Sequence, residues 1–163
     1  MIDVSPQHIE NLIESCWHPD VLEYYKDENE FYSLDFSNIN HIEYAINKWL
    51  GVSKWRSLEE EKQYKEDLRY CITKKKWVLG NAFLNKIDNT LPNLRKPVID
   101  NKYWNDWDND EKNFFLLLLM LWEKWFNEPF SPADLSQYRE RIDEEFVNFP
   151  HMPEFWNEAK YKD

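Results

Sequence analysis

The chain has 163 residues, with 31 acidic side chains against 20 basic ones and a formal net charge of −11. A chain of this length buries roughly 70% of its surface on folding, which is enough for one domain with a conventional core. It contains only two glycines, Gly51 and Gly80. Glycine-rich loops that bind phosphates or dinucleotides are therefore excluded.

The first predicted helix begins at Pro6, with Ser5 as its N-cap, and ends before His18-Pro19. Its apolar side chains recur at the spacing of one helical face: Ile9, Leu12, Ile13, Cys16 and Trp17. This stripe indicates an amphipathic helix with one face in the core.

The second predicted helix begins after Ser37 or Asn38 and ends at Gly51. We expect Gly51 to adopt the left-handed conformation of the residue that follows many helices. The apolar stripe of this helix consists of Ile39, Ile42, Ala45, Ile46, Trp49 and Leu50.

The third predicted helix is charged and starts at a capping box formed by Ser57 and Glu60. It either runs to about Asp88 or breaks near Gly80. The residues expected on its buried side are Leu58, Tyr64, Leu68, Cys71, Ile72, Leu79, Ala82 and Phe83.

Further helices are predicted in the last third of the chain. Asp108 and Glu111 open the most apolar helix, which extends to about Phe126. Ser131-Pro132, followed by Asp134, opens another helix. Its inward side chains are expected to be Leu135, Tyr138, Ile142 and Phe146. A short helix is expected after Pro153.

Strand signals are weak, because threonine occurs only twice and glycine turns are absent. Short extended pieces are predicted only where Tyr32, Leu34 and Phe36 alternate with polar residues, and at Pro97-Val98-Ile99. The irregular segment 89–107 is long enough to be functional or to carry further structure. We therefore predict an all-α fold: one compact domain over residues 1–163, built as a bundle of five to seven helices with room for a short extended segment.

No catalytic or metal-binding pattern emerges from the sequence. Cys16 and Cys71 lie on apolar stripes, so we expect reduced, buried thiols. The alternation of Asp106, Asp108 and Asp110 resembles the start of a calcium loop, but the later ligand positions do not fit. The four histidines lack the spacing of a zinc site. We expect neither enzymatic activity nor a cofactor or metal ion.

Targeting signals are also weak. The first residues lack a basic flank and an apolar stretch, and the longest apolar run, 114–122, is less than half of a bilayer span. A cytoplasmic protein is expected.

Charge is segregated along the chain. Residues 1–50 hold ten acids and two bases, residues 51–100 hold seven acids and eleven bases, and residues 101–163 hold fourteen acids and seven bases. A field of this sign repels nucleic acid and anionic membranes and attracts cationic proteins. The single basic run, 74–76, is too short to follow a phosphate backbone.

Two segments combine acids with aromatic side chains, as protein interfaces do. The partner-binding residues predicted in the first segment are Asp20, Glu23, Tyr24, Asp27, Glu28, Glu30, Tyr32 and Asp35. Those predicted in the second are Trp104, Asp106, Trp107, Asp108 and Asp110. The alternative for the first segment is a core stripe backed by solvated acids. For the second, it is an acidic helix start that complements the helix dipole.

These features predict a small binding protein that neutralises a basic protein partner. In composition, though not in any motif, the chain is similar to bacterial immunity proteins (antitoxins). Such proteins inhibit nuclease-type toxins, including the effectors of contact-dependent inhibition systems, and their carboxylates can fill a cleft built for phosphates.

Two other functions stay open. A phage-type DNA mimic that inhibits restriction or CRISPR enzymes would also need many carboxylates, spread over one elongated face. A helical regulatory or scaffolding subunit of a larger complex would instead expose apolar surface.

Overall fold

The computed structural model describes residues 1–35, 38–51, 55, 57–74, 76 and 109–142. This part of the chain is mostly helical and carries one short parallel sheet of two strands. In chain order its elements are β1 (Ile2–Val4), α1 (Pro6–Trp17), α2 (Pro19–Tyr24), α3 (Glu28–Ser33), α4 (Ile39–Trp49), α5 (Leu58–Lys74), α6 (Asn109–Phe126), a 3-10 turn (Leu135–Gln137) and β2 (Tyr138–Glu140). The predicted helical character is confirmed for these residues, whereas the sheet was not predicted.

Helix α1 has the predicted bounds, with Pro6 at its first position and His18 after its last turn. All five residues of its predicted stripe are buried. Ser5 stands at the N-cap position, but its side chain makes no capping hydrogen bond. Its backbone N–H donates to Oδ1 of Asp67 instead, at 2.8 Å.

Helix α4 begins as predicted, because the side-chain oxygen of Asn38 accepts a hydrogen bond from the N–H of Asn40 at 2.9 Å. The prediction for Gly51 is wrong, since its backbone is not left-handed. A side chain there would be crowded instead, since a Cβ would lie 3.0 Å from the carbonyl oxygen of Asn47.

Helix α5 is capped as predicted, with the N–H of Glu60 donating to Oγ of Ser57 at 3.1 Å. It ends at Lys74, before the break predicted near Gly80, and residues 77–88 lie outside the described part. One prediction for its buried face is wrong: Leu58, in the first turn, is 84% exposed.

The helix predicted after Ser131 is wrong. Asp134 caps only the 3-10 turn, by accepting from the N–H of Ser136 at 3.2 Å, and the chain then extends into β2. This strand gains backbone pairing to β1, with Ile2 opposite Tyr138. Two side chains expected to point inward, Leu135 and Ile142, are 37% and 56% exposed, Tyr138 is half-buried, and the fourth, Phe146, lies outside the described residues.

Polar side chains attach β2 to its neighbours. The hydroxyl of Tyr70 on α5 donates to Glu140 at 2.9 Å, and Nε of Arg139 lies 2.8 Å from Oδ1 of Asp3. Burial and the contact with Glu140 raise the pKa of Tyr70 to about 12, so its hydroxyl is a hydrogen-bond donor at neutral pH. The ring of Tyr138 also stacks on that of Tyr70, with centroids 6.0 Å apart, so hydrogen bonds, charge and one aromatic contact hold the strand.

The extended piece predicted at residues 32–36 is also wrong at its start. Tyr32 lies in α3, whereas Leu34, which follows that helix, has extended backbone. Phe36 lies outside the described residues. So do the predicted segments 97–99 and 89–107 and the short helix after Pro153.

The core joins the helices through aromatic contacts. Phe31 of α3 lies 5.3 Å from Trp17 of α1 and 5.4 Å from Trp49 of α4, between ring centroids. Trp125 of α6 donates its indole N–H to the carbonyl of Leu50, at 2.7 Å, which ties α6 to the end of α4. The α1–α4 region that carries the first acid-and-aromatic segment is therefore part of the main core.

We expect Leu118→Ala to lower the free energy of unfolding by roughly 2–5 kcal/mol, because Leu118 is fully buried in α6 and its truncation leaves a cavity. The matched control is Leu58→Ala, which removes the same atoms from an exposed position and should change stability by about 0.5 kcal/mol or less. Urea denaturation followed by tryptophan fluorescence measures both. Equal losses in the two variants would contradict the burial of this helix.

Candidate functional site

The first acid-and-aromatic segment forms two short helices joined by a tight turn. Nδ1 of His18 accepts the N–H of Asp20 at 3.2 Å and so caps the start of α2. Lys26, in the turn, has a left-handed backbone with a φ of 60°. The turn is closed by the N–H of Asp27, which donates to the carbonyl of Leu22 at 2.8 Å. The acids of the segment are consequently divided between two faces.

One face is open to solvent and consists of Asp20, Glu23 and Tyr24; we call it the α2 surface. The side chain of Asp20 is 88% exposed, Tyr24 is 78% exposed, and Glu23 is exposed as well. The Tyr24 ring is supported on one side by Tyr25, whose centroid lies 4.9 Å away at an interplanar angle of 89°. Helix α2 thus presents one large aromatic side chain and two carboxylates to solvent.

The other face is turned toward α4. Oδ2 of Asp27 accepts the indole N–H of Trp49 at 2.9 Å, and its Oδ1 lies 3.9 Å from Nζ of Lys48. Glu30 accepts hydrogen bonds from the hydroxyl of Tyr44 and from Nζ of Lys48. Asp27 and Glu30, both predicted to bind a partner, therefore hold α3 against α4 in this structure.

The electrostatics of this contact agree with the geometry. Burial alone would lower the pKa of Lys48, but the hydrogen bond and charge of Glu30 outweigh it and the pKa is raised. The hydrogen bond to Glu30 raises the pKa of Tyr44 as well. The ammonium and the phenol thus both keep their protons at neutral pH.

The other predicted residues have varied positions. Glu28 is half-buried, and Tyr32, 37% exposed, packs edge-on against Phe31 at 5.5 Å. The backbone N–H of Asp35 donates to Nδ1 of His41 at 2.9 Å. In the second segment, Trp104, Asp106, Trp107 and Asp108 lie outside the described residues, and Asp110 is placed only by its backbone in α6.

Sequence reasoning missed the α4 residues that meet this segment, Tyr44, Lys48 and Trp49. The spacing of Tyr44 and Lys48, four residues apart, does place them on one helical face. Their contact with α3 depends on how two helices pack, which no local pattern encodes.

A second polar cluster is buried between α1 and α5. Nδ1 of His8 lies 2.6 Å from Oδ2 of Asp67, and the two side chains are 4% and 0% exposed. The other oxygen of Asp67 accepts from the N–H of Ser5 and, at 2.9 Å, from the amide of Gln63. Cys71 follows Asp67 by one helical turn and is fully buried.

This cluster has the residue types of a nucleophilic site but not the required chemistry. Burial, together with the nearby charge of Asp67, raises the pKa of the Cys71 thiol well above its ordinary value. A thiol that stays protonated is a poor nucleophile, and this one is closed to solvent. Burial also raises the pKa of Asp67, against the opposing hydrogen bond from His8. The arrangement fits a structural role, in which Asp67 of α5 holds the first turn of α1 through His8 and Ser5.

Other site types find no support in the part of the chain that the structure describes. It contains no group of three or more His, Cys, Asp or Glu side chains arranged to hold a metal ion. None of its helices is long and apolar enough to cross a membrane. The sequence matches no known family model, and no curated protein or solved structure is significantly similar to it.

We expect both thiols to resist alkylation by iodoacetamide at pH 8 in the folded protein, because Cys16 and Cys71 are 4% and 0% exposed. In guanidinium chloride, both should react at the rate of a model thiol. Mass spectrometry over time counts the modified sites. Rapid labelling of Cys71 in the folded protein would contradict the prediction that this thiol is inert and would support a cysteine-based activity.

Proposed function

We propose that this chain is a cytoplasmic binding protein that neutralises a cationic protein partner by docking it on the α2 surface. The observation that carries the proposal is Tyr24, a tyrosine 78% exposed on the same short helix as the exposed acids Asp20 and Glu23. The surrounding chain is strongly acidic, since residues 1–35 hold nine acids and one lysine. The proposed role is binding, without catalysis.

The two kinds of side chain have different roles in this proposal. A tyrosine offers a large contact area and a hydroxyl at little cost in conformational entropy, which is why tyrosines are frequent binding hot spots. The exposed carboxylates select a basic partner and raise its association rate. Tyr24 is thus the proposed anchor, and Asp20 and Glu23 provide the charge complementarity.

The partner class that best fits this chemistry is a nuclease-type toxin, which makes the chain an immunity protein. An enzyme that cuts nucleic acid needs a basic surface for phosphates, and an acidic inhibitor can occupy or flank that surface. The overall charge of −11 supports the same partner class.

The test begins with the complex isolated from the native host at low salt. We expect the double reversal Asp20→Lys and Glu23→Lys to speed dissociation by about tenfold or more, since each lysine adds a repulsion within the contact. We expect Tyr24→Ala to cost about 2 kcal/mol of binding free energy. Surface plasmon resonance at two salt concentrations measures the rates.

The matched control reverses Glu59 and Glu123, two exposed acids on α5 and α6, with the same change in net charge. It should affect mainly the association rate, because long-range steering depends on total charge. Equal acceleration of dissociation by both pairs would contradict a localised site. A restriction or CRISPR enzyme as partner would favour the DNA mimic, and a stable complex insensitive to both pairs would favour the scaffolding subunit.

A further inference from the structure

At the contact between α3 and α4, acidic and aromatic side chains lie around the ammonium group of Lys48. Four side chains surround Nζ of Lys48, and we call them the lysine cage: Asp27, Glu30, Tyr44 and Trp49. The nitrogen is hydrogen-bonded to Glu30 and lies 3.9 Å from Oδ1 of Asp27. It also lies 5.0 Å from the ring centroid of Trp49 and 6.0 Å from that of Tyr44. Both distances are within the range of cation–π attraction.

The cage is organised by its own members. The Trp49 indole N–H holds one oxygen of Asp27, and the Tyr44 hydroxyl holds one oxygen of Glu30. In each case, the second oxygen is the one that meets the ammonium. Trp49 is in turn fixed by the core, where it is only 3% exposed. The Trp49 and Tyr44 donors therefore orient the two carboxylates. This orientation does not depend on which ammonium group occupies the cage.

We propose that the lysine cage is a binding site for a lysine side chain of the cationic partner, and that Lys48 occupies it as an internal substitute while the partner is absent. The inference rests on the proposed function, because it assigns a second contact to the same binding event. The acids of the cage, Asp27 and Glu30, belong to α3 and its N-cap, the helix that follows α2 in the chain, and its aromatic side chains belong to α4. On docking, the partner's ammonium would enter and Lys48 would turn into solvent.

Such an exchange costs little. Breaking a buried ion pair is costly when one charge is left without a partner. In this exchange, one ammonium replaces another, so both carboxylates remain paired. The side chain of Lys48 is 25% exposed and that of Glu30 39% exposed, so solvent reaches the occupied cage. The internal lysine competes at an effective concentration on the order of millimolar. A partner already held on the α2 surface presents its lysine at a similar effective concentration.

The test uses the protein without a partner. In Lys48→Ala the cage is vacated, and n-butylammonium has the length and charge of a complete lysine side chain. We expect it to shift the indole N–H resonance of Trp49 in a proton–nitrogen correlation spectrum. The half-saturating concentration should be about tenfold or more lower for Lys48→Ala than for the original chain, where Lys48 competes. Lys48→Ser provides the same vacancy with a different side chain.

Controls make the result specific. The neutral analogue 1-butanol and sodium chloride at equal ionic strength should not produce the shift. Adding Glu30→Gln to Lys48→Ala should abolish it, because the carboxylate that bonds the ammonium is lost. Equal responses of the original chain and both Lys48 variants would overturn the proposal, as would no response in either variant. Tighter binding of spermidine than of n-butylammonium to the original chain would overturn it too, by assigning the cage to a free polyamine.

The partner complex gives a separate result. Lys48→Ala should bind the partner more tightly than the original chain, by up to about tenfold, because the internal competitor is gone. Weaker binding would show that Lys48 supports the interface and would overturn the exchange. If no cationic partner exists, the proposed function fails, while the n-butylammonium experiment still reports on the cage.

Discussion

One buried carboxylate, that of Asp67, joins the start of the chain to the middle of α5. It accepts from the backbone of Ser5 and from Gln63, and it pairs with His8. The same Gln63 amide also donates to the carbonyl of Asp3 in β1. These hydrogen bonds attach β1 to α5. They therefore also position the strand edge of β1 to which β2 pairs. A charge this deeply buried is tolerated only because both of its oxygens have partners.

The acidic character of the chain therefore does not translate directly into binding surface. Asp67 is buried in the core, and Asp27 and Glu30 are paired with Lys48 of α4, so a partner reaches these two acids only by displacing Lys48. Counting carboxylates along the sequence treats all of these as equivalent. The structure separates them by whether an oxygen already has an internal donor. Within the first acid-and-aromatic segment, the exposed acids are Asp20 and Glu23 of the α2 surface.

Short sequence patterns correctly predicted the helix ends that depend on neighbouring residues. The bounds of α1 and the start of α4 follow from proline, asparagine and a spacing of three or four residues, so the sequence alone places them. The two strands have three residues each, and their pairing joins positions 136 residues apart, so no window of sequence contains the signal. The same limit explains the false helix after Ser131 and the missed role of Lys48, since both depend on a distant neighbour.

The pairing of β1 with β2 has a consequence for the order of folding. It closes a loop that includes almost all of the described chain, and the entropic cost of closure rises with loop length. The contacts among α1, α2, α3 and α4 are between near neighbours and form at much lower cost. During synthesis, these helices leave the ribosome long before residue 138 does. Folding of the acidic, aromatic region can thus precede closure of the sheet, and β1 stays unpaired until residues 138–140 have been synthesised.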